Sequence, residues 1–377
     1  MFEAYGDAED EIDVYFPDLK HVHGSETVQG ESFPNLYTLR GTKYRDLVKW
    51  YKGVDNLLEY AKQSDSYSHS HMRSWVGNEF IVERIQNYRD AIQFTHDQSI
   101  YYMNQGATPE ELVELVKLPE NLKNDPWLQE FYGSVEHVVR NVYNGYLGWY
   151  SGDATELATP SFKRKAELYV SAMGGRENVL KIANQAIDAE DYGWAMEITT
   201  HLTRSNPEDS DARKVKAKAM QAWGYDQANI YYRNFALSGA KELDGALDKS
   251  GAFDFANPVI IQQFGIGTIL ENLRVKIDAS KAIDSDFKIG FNITDRNEKY
   301  GFHVRNGIAA FYEYIPENSD IVVDIPSSVV YDFVLGKGRV KDAINNGKGT
   351  VKGDLDQLEV FASFFDFKKS DINLSSR

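Results

Sequence analysis

The sequence predicts a multidomain chain of α and α+β parts: a mixed segment over 1–80, an all-α region over 81–245 and an α+β region over 246–377. Three observations predict it. Apolar residues recur at helical spacing through most of 78–240. Strict apolar alternation dominates only after 286. The opening residues mix one alternating segment, one amphipathic helix and polar stretches.

Ile12, Val14 and Phe16 alternate up to Pro17 and predict a strand. Leu47, Trp50, Tyr51, Val54 and Leu58 predict an amphipathic helix over 43–60, with loops at 20–35 and 61–75. A long helix is expected over 79–103. Thr108, with Pro109 and Glu111 behind it, caps another through Leu118. Asp125-Pro126 is expected to open a helix through about Tyr146, and 161–172 to form one ended by Gly174-Gly175. Residues 176–223 predict a helical hairpin of tetratricopeptide type, turning at SNPEDSDAR. GALDKSGAFDF, 245–255, predicts a linker. Beyond it, strands are expected over 287–293, 300–304, 309–314 and 320–325, with a tight turn at Asn306-Gly307. Helices are expected over 327–335 and 355–365.

The formal charge of −16 opposes general nucleic-acid binding, which needs a basic field. With no cysteine, any metal must be held by His, Asp and Glu. No apolar run is long enough to span a membrane, and the first residues lack the basic and apolar regions of a signal peptide. That predicts a soluble protein and leaves its compartment open. The pairs His21/His23 and His69/His71 each place two rings on one side of an extended segment, a weak metal signal by itself. DAEDEIDVYFPD, taken alone, reads as a solvated acidic stretch. In ESFPNLYTLRG, Arg40 offers a guanidinium fork suited to a tetrahedral oxyanion, with the Asn35 amide alongside. FGIGT at 264–268 lacks the context of a phosphate loop. The glycosylation patterns at Asn292 and Asn373 are short enough to arise by chance.

Several segments resemble one family. YLGWYSGDATEL (146–157), ELYVSAMGGRENVLKIANQAIDAEDYGWAMEITTHL (167–202) and WGYDQANIYYRNFALSGAKEL (223–243) resemble the alkyl sulfatases, the sulfate-ester branch of the metallo-β-lactamase superfamily. The region after 255, with GTVKGDLDQL, resembles their sterol-carrier-like C-terminal domain. The resemblance implies that 1–80 is the last part of a metallo-β-lactamase domain, 81–245 a dimerisation domain and 246–377 the sterol-carrier-like domain. It implies metal ligands at Asp7 in YGDAEDEIDVYFP, at Glu26 and at His71 (or His69) in SHSHMRSWVGN, with Glu11 a nearby acid. It implies sulfate holders at Asn35 and Arg40. Two zinc ions, a homodimer and an alkyl sulfate or other amphiphilic substrate go with the family.

The sequence departs from the family pattern. An HxHxDH motif is absent, the first ligand is an aspartate, and the adjacent histidine pair is split by Ser70. The expectation is therefore a zinc-dependent alkyl sulfatase, a sulfuric ester hydrolase, whose catalytic domain is incomplete and N-terminally truncated in this chain. The alternative is a non-catalytic, dimerising, lipid-binding protein with a decayed metal site.

Overall fold

The computed structural model describes residues 1–40, 43–248, 257–367 and 375–376. The chain divides into two compact units, Met1–Leu247 with Asn373–Arg377, and Asp248–Ile372. From residue 249 on, the expected linker lies outside the described residues, as do Asn373 and Leu374 of the second glycosylation pattern.

The first unit opens with β1 (Phe2–Ala4), β2 (Glu11–Phe16) and β3 (His21–His23). They are followed by α1 (Leu47–Ala61), β4 (Ser66–Ser68), β5 (Trp75–Val76) and α2 (Asn78–Met103). The strands form one sheet in sequence order, antiparallel except that β3 runs parallel to β4. Two segments read as loops therefore contain strands. These strands are three residues or fewer and largely polar, so apolar periodicity does not mark them.

The Asp46 carboxylate accepts from the backbone N–H of Val48 and Lys49 and starts α1. α1 buries Leu47, Trp50, Val54 and Leu57, and α2 buries Ile81, Ile85, Tyr88 and Ile92. Both stripes follow the 3.6-residue period and join one apolar core with Phe33, Leu36 and Tyr67.

Next come α3 (Pro109–Leu115), α4 (Glu120–Lys123) and α5 (Val135–Leu147). The helix expected from Asp125 starts at Val135 instead, capped by Ser134. Asp125 is engaged elsewhere. Its carboxylate pairs with buried Arg84 and accepts from Asn87 Nδ2 at 2.7 Å, tying the 125–134 segment to α2. The helical array then runs α6 (Phe162–Ala172), α7 (Arg176–Asp188), α8 (Tyr192–Ser205), α9 (Ser210–Asp226) and α10 (Ile230–Asp244). Its small cores use Val179, Ala183, Ile198 and Leu202, then Ala186, Ile187, Ala195 and Ala219. Among the described residues, no helix is long and apolar enough to cross a membrane.

The second unit holds α11 (Pro258–Ile261), α12 (Ile266–Glu271) and α13 (Ala279–Ala282). A sheet follows from β6 (Asp286–Ile293), β7 (Glu298–Arg305), β8 (Ile308–Tyr312) and β9 (Ile321–Ile325). It is completed by α14 (Ser327–Val334), α15 (Val340–Asn345), β10 (Thr350–Lys352) and α16 (Gln357–Ser363). Asn306 and Gly307 both take positive φ, 51° and 75°, and close the β7–β8 hairpin. β6, β7 and β8 form a meander, but β9 returns to lie parallel to β6, giving the order β10-β9-β6-β7-β8. Phe291, Phe302, Phe361 and Phe365 interlock in the core beneath the sheet. The cavity beside them, lined by Phe291, Phe333, Leu358 and Phe361, is about 50 Å³, far below the few hundred Å³ of a typical ligand pocket. FGIGT supplies Gly265 as the cap of short α12, and Asn292 lies inside β6, its amide donating to Asp324 at 2.8 Å.

Candidate metal cluster and its relatives

The β1–β2 connection carries Asp7, the β3–α1 connection carries Glu26, and the β4–β5 connection carries His71. The fold brings these three together: one ligand atom from each lies within 4.8 Å of the others. Among the described residues this is the single group of three or more possible ligands so arranged. His71 Nε2 stands 3.1 Å from Glu26 Oε1.

The loop bearing Glu26 is fixed from both sides. The Trp50 indole donates to Thr27 O at 2.8 Å, and Gln29 N donates to the Tyr88 hydroxyl at 3.2 Å. Gly30, with φ at +121°, lets the backbone pass where a Cβ would meet Met72 Cγ at 2.5 Å. Further along, Phe33 N donates to Gln129 O and Gly133 N to Phe33 O. A Cβ on Gly133 would sit 1.8 Å from Pro34 O, so only glycine permits this approach.

Charge in the cluster is unevenly shared. Burial raises Asp7 to about 6, a hydrogen bond to Glu26 adds to this, and Arg45 works against it. Burial also pushes Glu26 up, but hydrogen bonds from Asp7 and His71 outweigh it and hold that carboxyl below its usual range. The two carboxyls are therefore set apart in acidity, Asp7 above its usual range and Glu26 below it. The Arg45 guanidinium pairs with Asp7 and donates to Asn35 O at 2.6 Å. Below them, Glu11 and Asp13 extend the acidic layer. Glu11 accepts from Ala8 N at 2.7 Å, and burial raises its carboxyl. Asp13 is fully buried, accepts from Thr27 Oγ1 at 3.1 Å, and is pushed up to about 7 by burial. The acidic stretch is thus divided: Glu9 and Asp10 are exposed, while Asp13 points into the fold.

The other expected residues fall differently. His69 is buried, its Nδ1 accepts from Met72 N at 3.1 Å, and its ring lies against Trp75 and Tyr67. Burial lowers it to about 4, so it stands as a neutral packing residue outside the cluster. His21 and His23 pair across the parallel strands with Ser66 and Ser68 at 2.9 Å. Asn35 is buried; its Nδ2 donates to the Tyr231 hydroxyl at 3.1 Å and its N–H to Gln29 Oε1 at 2.8 Å. Arg40 is exposed on the loop before α1. Arg45 and Tyr231, which no sequence motif marks, also belong to this region. Tyr231 lies 196 residues from Asn35 and stacks on Tyr132, which in turn faces His71.

A mixed sheet segment presenting two carboxylates and a histidine, followed by a helical array and an α+β unit, defines a multidomain protein with a partial metal-ligand cluster. Family models match accordingly: alkyl sulfatase dimerisation over 108–246 and alkyl sulfatase C-terminal over 254–374. A linear primary-alkylsulfatase from a Pseudomonas strain is 34% identical over 98% of this chain and 72% of its own length. An (R)-specific secondary-alkylsulfatase from Pseudomonas sp. is 28% identical over 96% of this chain and 54% of its own. The solved structure of a stereoselective inverting sec-alkylsulfatase from Pseudomonas sp. superposes with a TM-score of 0.91 at 26% identity, covering 99% of this chain and 59% of that one. The chain belongs to the alkyl sulfatase family. It spans little more than half the length of several relatives it matches.

Proposed function

We propose that this chain contributes to zinc-dependent hydrolysis of alkyl sulfate esters, with Asp7, Glu26 and His71 as its metal ligands. The observation that carries the reading is the convergence of these three side chains from three separate loops. Two oxygens and one imidazole nitrogen suit a single zinc ion with coordination positions left open. They do not suffice for two ions, and further ligands of a binuclear centre would come from outside the described residues. A zinc ion bound here supplies a Lewis acid and lowers the pKa of coordinated water.

The chain's own residues prepare that site. Arg45 clamps Asp7 and fixes its direction, while α1, through Trp50, sets the height of the Glu26 loop. Tyr231 and Gln29 lock Asn35, and Arg40 offers an exposed cation on the same segment. Arg40 is assigned to sulfate recognition by charge, whereas Asn35, expected beside it as a sulfate holder, is buried with its amide on Tyr231 and is assigned to fixing this segment. The lipid-binding alternative gains no support from the second unit, whose phenylalanines fill its interior. The helical array is assigned to homodimer formation, as the name of the matching family model indicates.

The test is equilibrium dialysis of the chain against zinc with elemental analysis, beside sulfate release from decyl sulfate. Bound zinc that is lost in His71→Ala and Glu26→Gln, but kept in His69→Ala, supports the assignment. Zinc binding indifferent to His71 and Glu26 would overturn it.

A further inference from the structure

Among the described residues, a second concave site lies in the helical array, between α6 and α8. It is a cavity of about 600 Å³, within the usual range for small-molecule pockets. Phe162, Tyr169 and Trp194 form much of its wall and are all substantially exposed. Lys165, His201 and Arg204 supply its polar groups.

Three features point to an anionic guest. First, Arg204 has no carboxylate within ion-pairing distance among the described residues. Its guanidinium rests over the Phe162 ring at 4.0 Å, and its buried Nε has no hydrogen-bond partner. Most arginines of this acidic chain are better served; Arg176, for example, meets Asp209, Asp211 and Glu177. Second, His201 is 8% exposed and stacks on Tyr169 at 4.5 Å, leaving buried Nδ1 unpartnered. Burial lowers His201, keeping it neutral and able to donate from one ring nitrogen. Third, Lys165 lines the same cavity and forms no ion pair among the described residues. The one lining carboxylate, Glu197, is largely exposed and stands 3.7 Å from His201 Nε2.

A guanidinium whose buried Nε has no partner is left with an unmet donor that a bound anion can satisfy. The aromatic walls meanwhile offer apolar and stacking surface with little side-chain entropy to lose. We propose that this cavity binds a small organic monoanion, its apolar or aromatic body between Trp194 and Phe162 and its carboxylate, sulfonate or sulfate head on Arg204 and Lys165. The proposal does not depend on the metal cluster, whose residues lie elsewhere in the fold.

The experiment is isothermal titration with naphthalenesulfonate and, as neutral control, naphthylmethanol, at physiological ionic strength, with oligomeric state followed in parallel. The expected result is saturable binding of one naphthalenesulfonate per chain. Arg204→Met should weaken it about tenfold, the value of one charge-assisted hydrogen bond. Lys165→Gln, an exposed position safe for folding, should cause a smaller loss, and the neutral control should bind weakly to all three proteins. Absence of saturable binding, or equal binding by the parent chain and both variants, overturns the proposal. So does an Arg204→Met or Lys165→Gln variant whose oligomer dissociates while naphthalenesulfonate has no effect on the parent chain, since the cavity would then be a seat for a second copy.

Discussion

The two five-stranded sheets of this protein solve different problems. In the second unit, β6 and β7 are each eight residues long and bury an unbroken set of Ile, Phe and Val side chains. In the first, no strand exceeds six residues, and carboxylates and imidazoles share the sheet with the apolar core. Buried polar atoms without partners follow the same division. Asp13, Gln29, Asn35 and His69 each leave one in the first 80 residues, against Gln357 alone among the described residues of the second unit. Such atoms cost stability and collect where side chains are held for chemistry rather than packing. The lesson is that the first sheet is a frame for loops, and the second is a core.

Phe361→Ala removes a ring that touches Phe287, Phe291, Phe302 and Phe365. It should destabilise the second unit by about 3–5 kcal/mol in denaturant titrations, with zinc uptake at Asp7, Glu26 and His71 unchanged. A small effect would mean that the interior is looser than its packing indicates. Next, His71→Ala should lower zinc affinity by more than the roughly 10–100-fold typical of losing an outer hydrogen-bond partner, read by competition with a chelator. It should leave unfolding of both units nearly unchanged.

Asp13 separates function from stability within the first sheet. Its carboxyl is raised to about 7, so the folded state holds a proton that the unfolded chain releases near pH 4. Folding stability from this group is therefore greatest at low pH and declines as pH rises towards 7. Asp13→Asn should remove that decline, gaining about 1–3 kcal/mol at pH 8 relative to pH 5 in paired thermal melts. An unchanged pH profile would show that Asp13 is already ionised in the fold. Smallest of all, Tyr231→Phe deletes one hydrogen bond to Asn35 and should cost about 1 kcal/mol of stability in denaturant titrations.

Legibility in the sequence follows the same boundary. Long periodic elements, such as α2 and the β6–β7 hairpin, are readable because each buries one face at a regular period. β3 and β4 are not, because each is three residues long and buries a single side chain, Val22 or Tyr67, between flanking His or Ser residues. The 125–134 segment carries helix-start residues, but Arg84 from α2 claims Asp125. Family motifs single out Asp7, Glu26 and His71, and the fold places them side by side. Nothing local marks Arg45 or Tyr231, whose partners lie in other parts of the chain.

With Asp7 raised to about 6, the cluster reaches its full negative charge only above that pH. A metal ion entering there would compete with the Asp7 proton below about pH 6. Acidification below that point would weaken metal binding, by at most about tenfold for each pH unit. Above that pH, Arg45 is the resident counter-charge of the ionised Asp7 carboxylate.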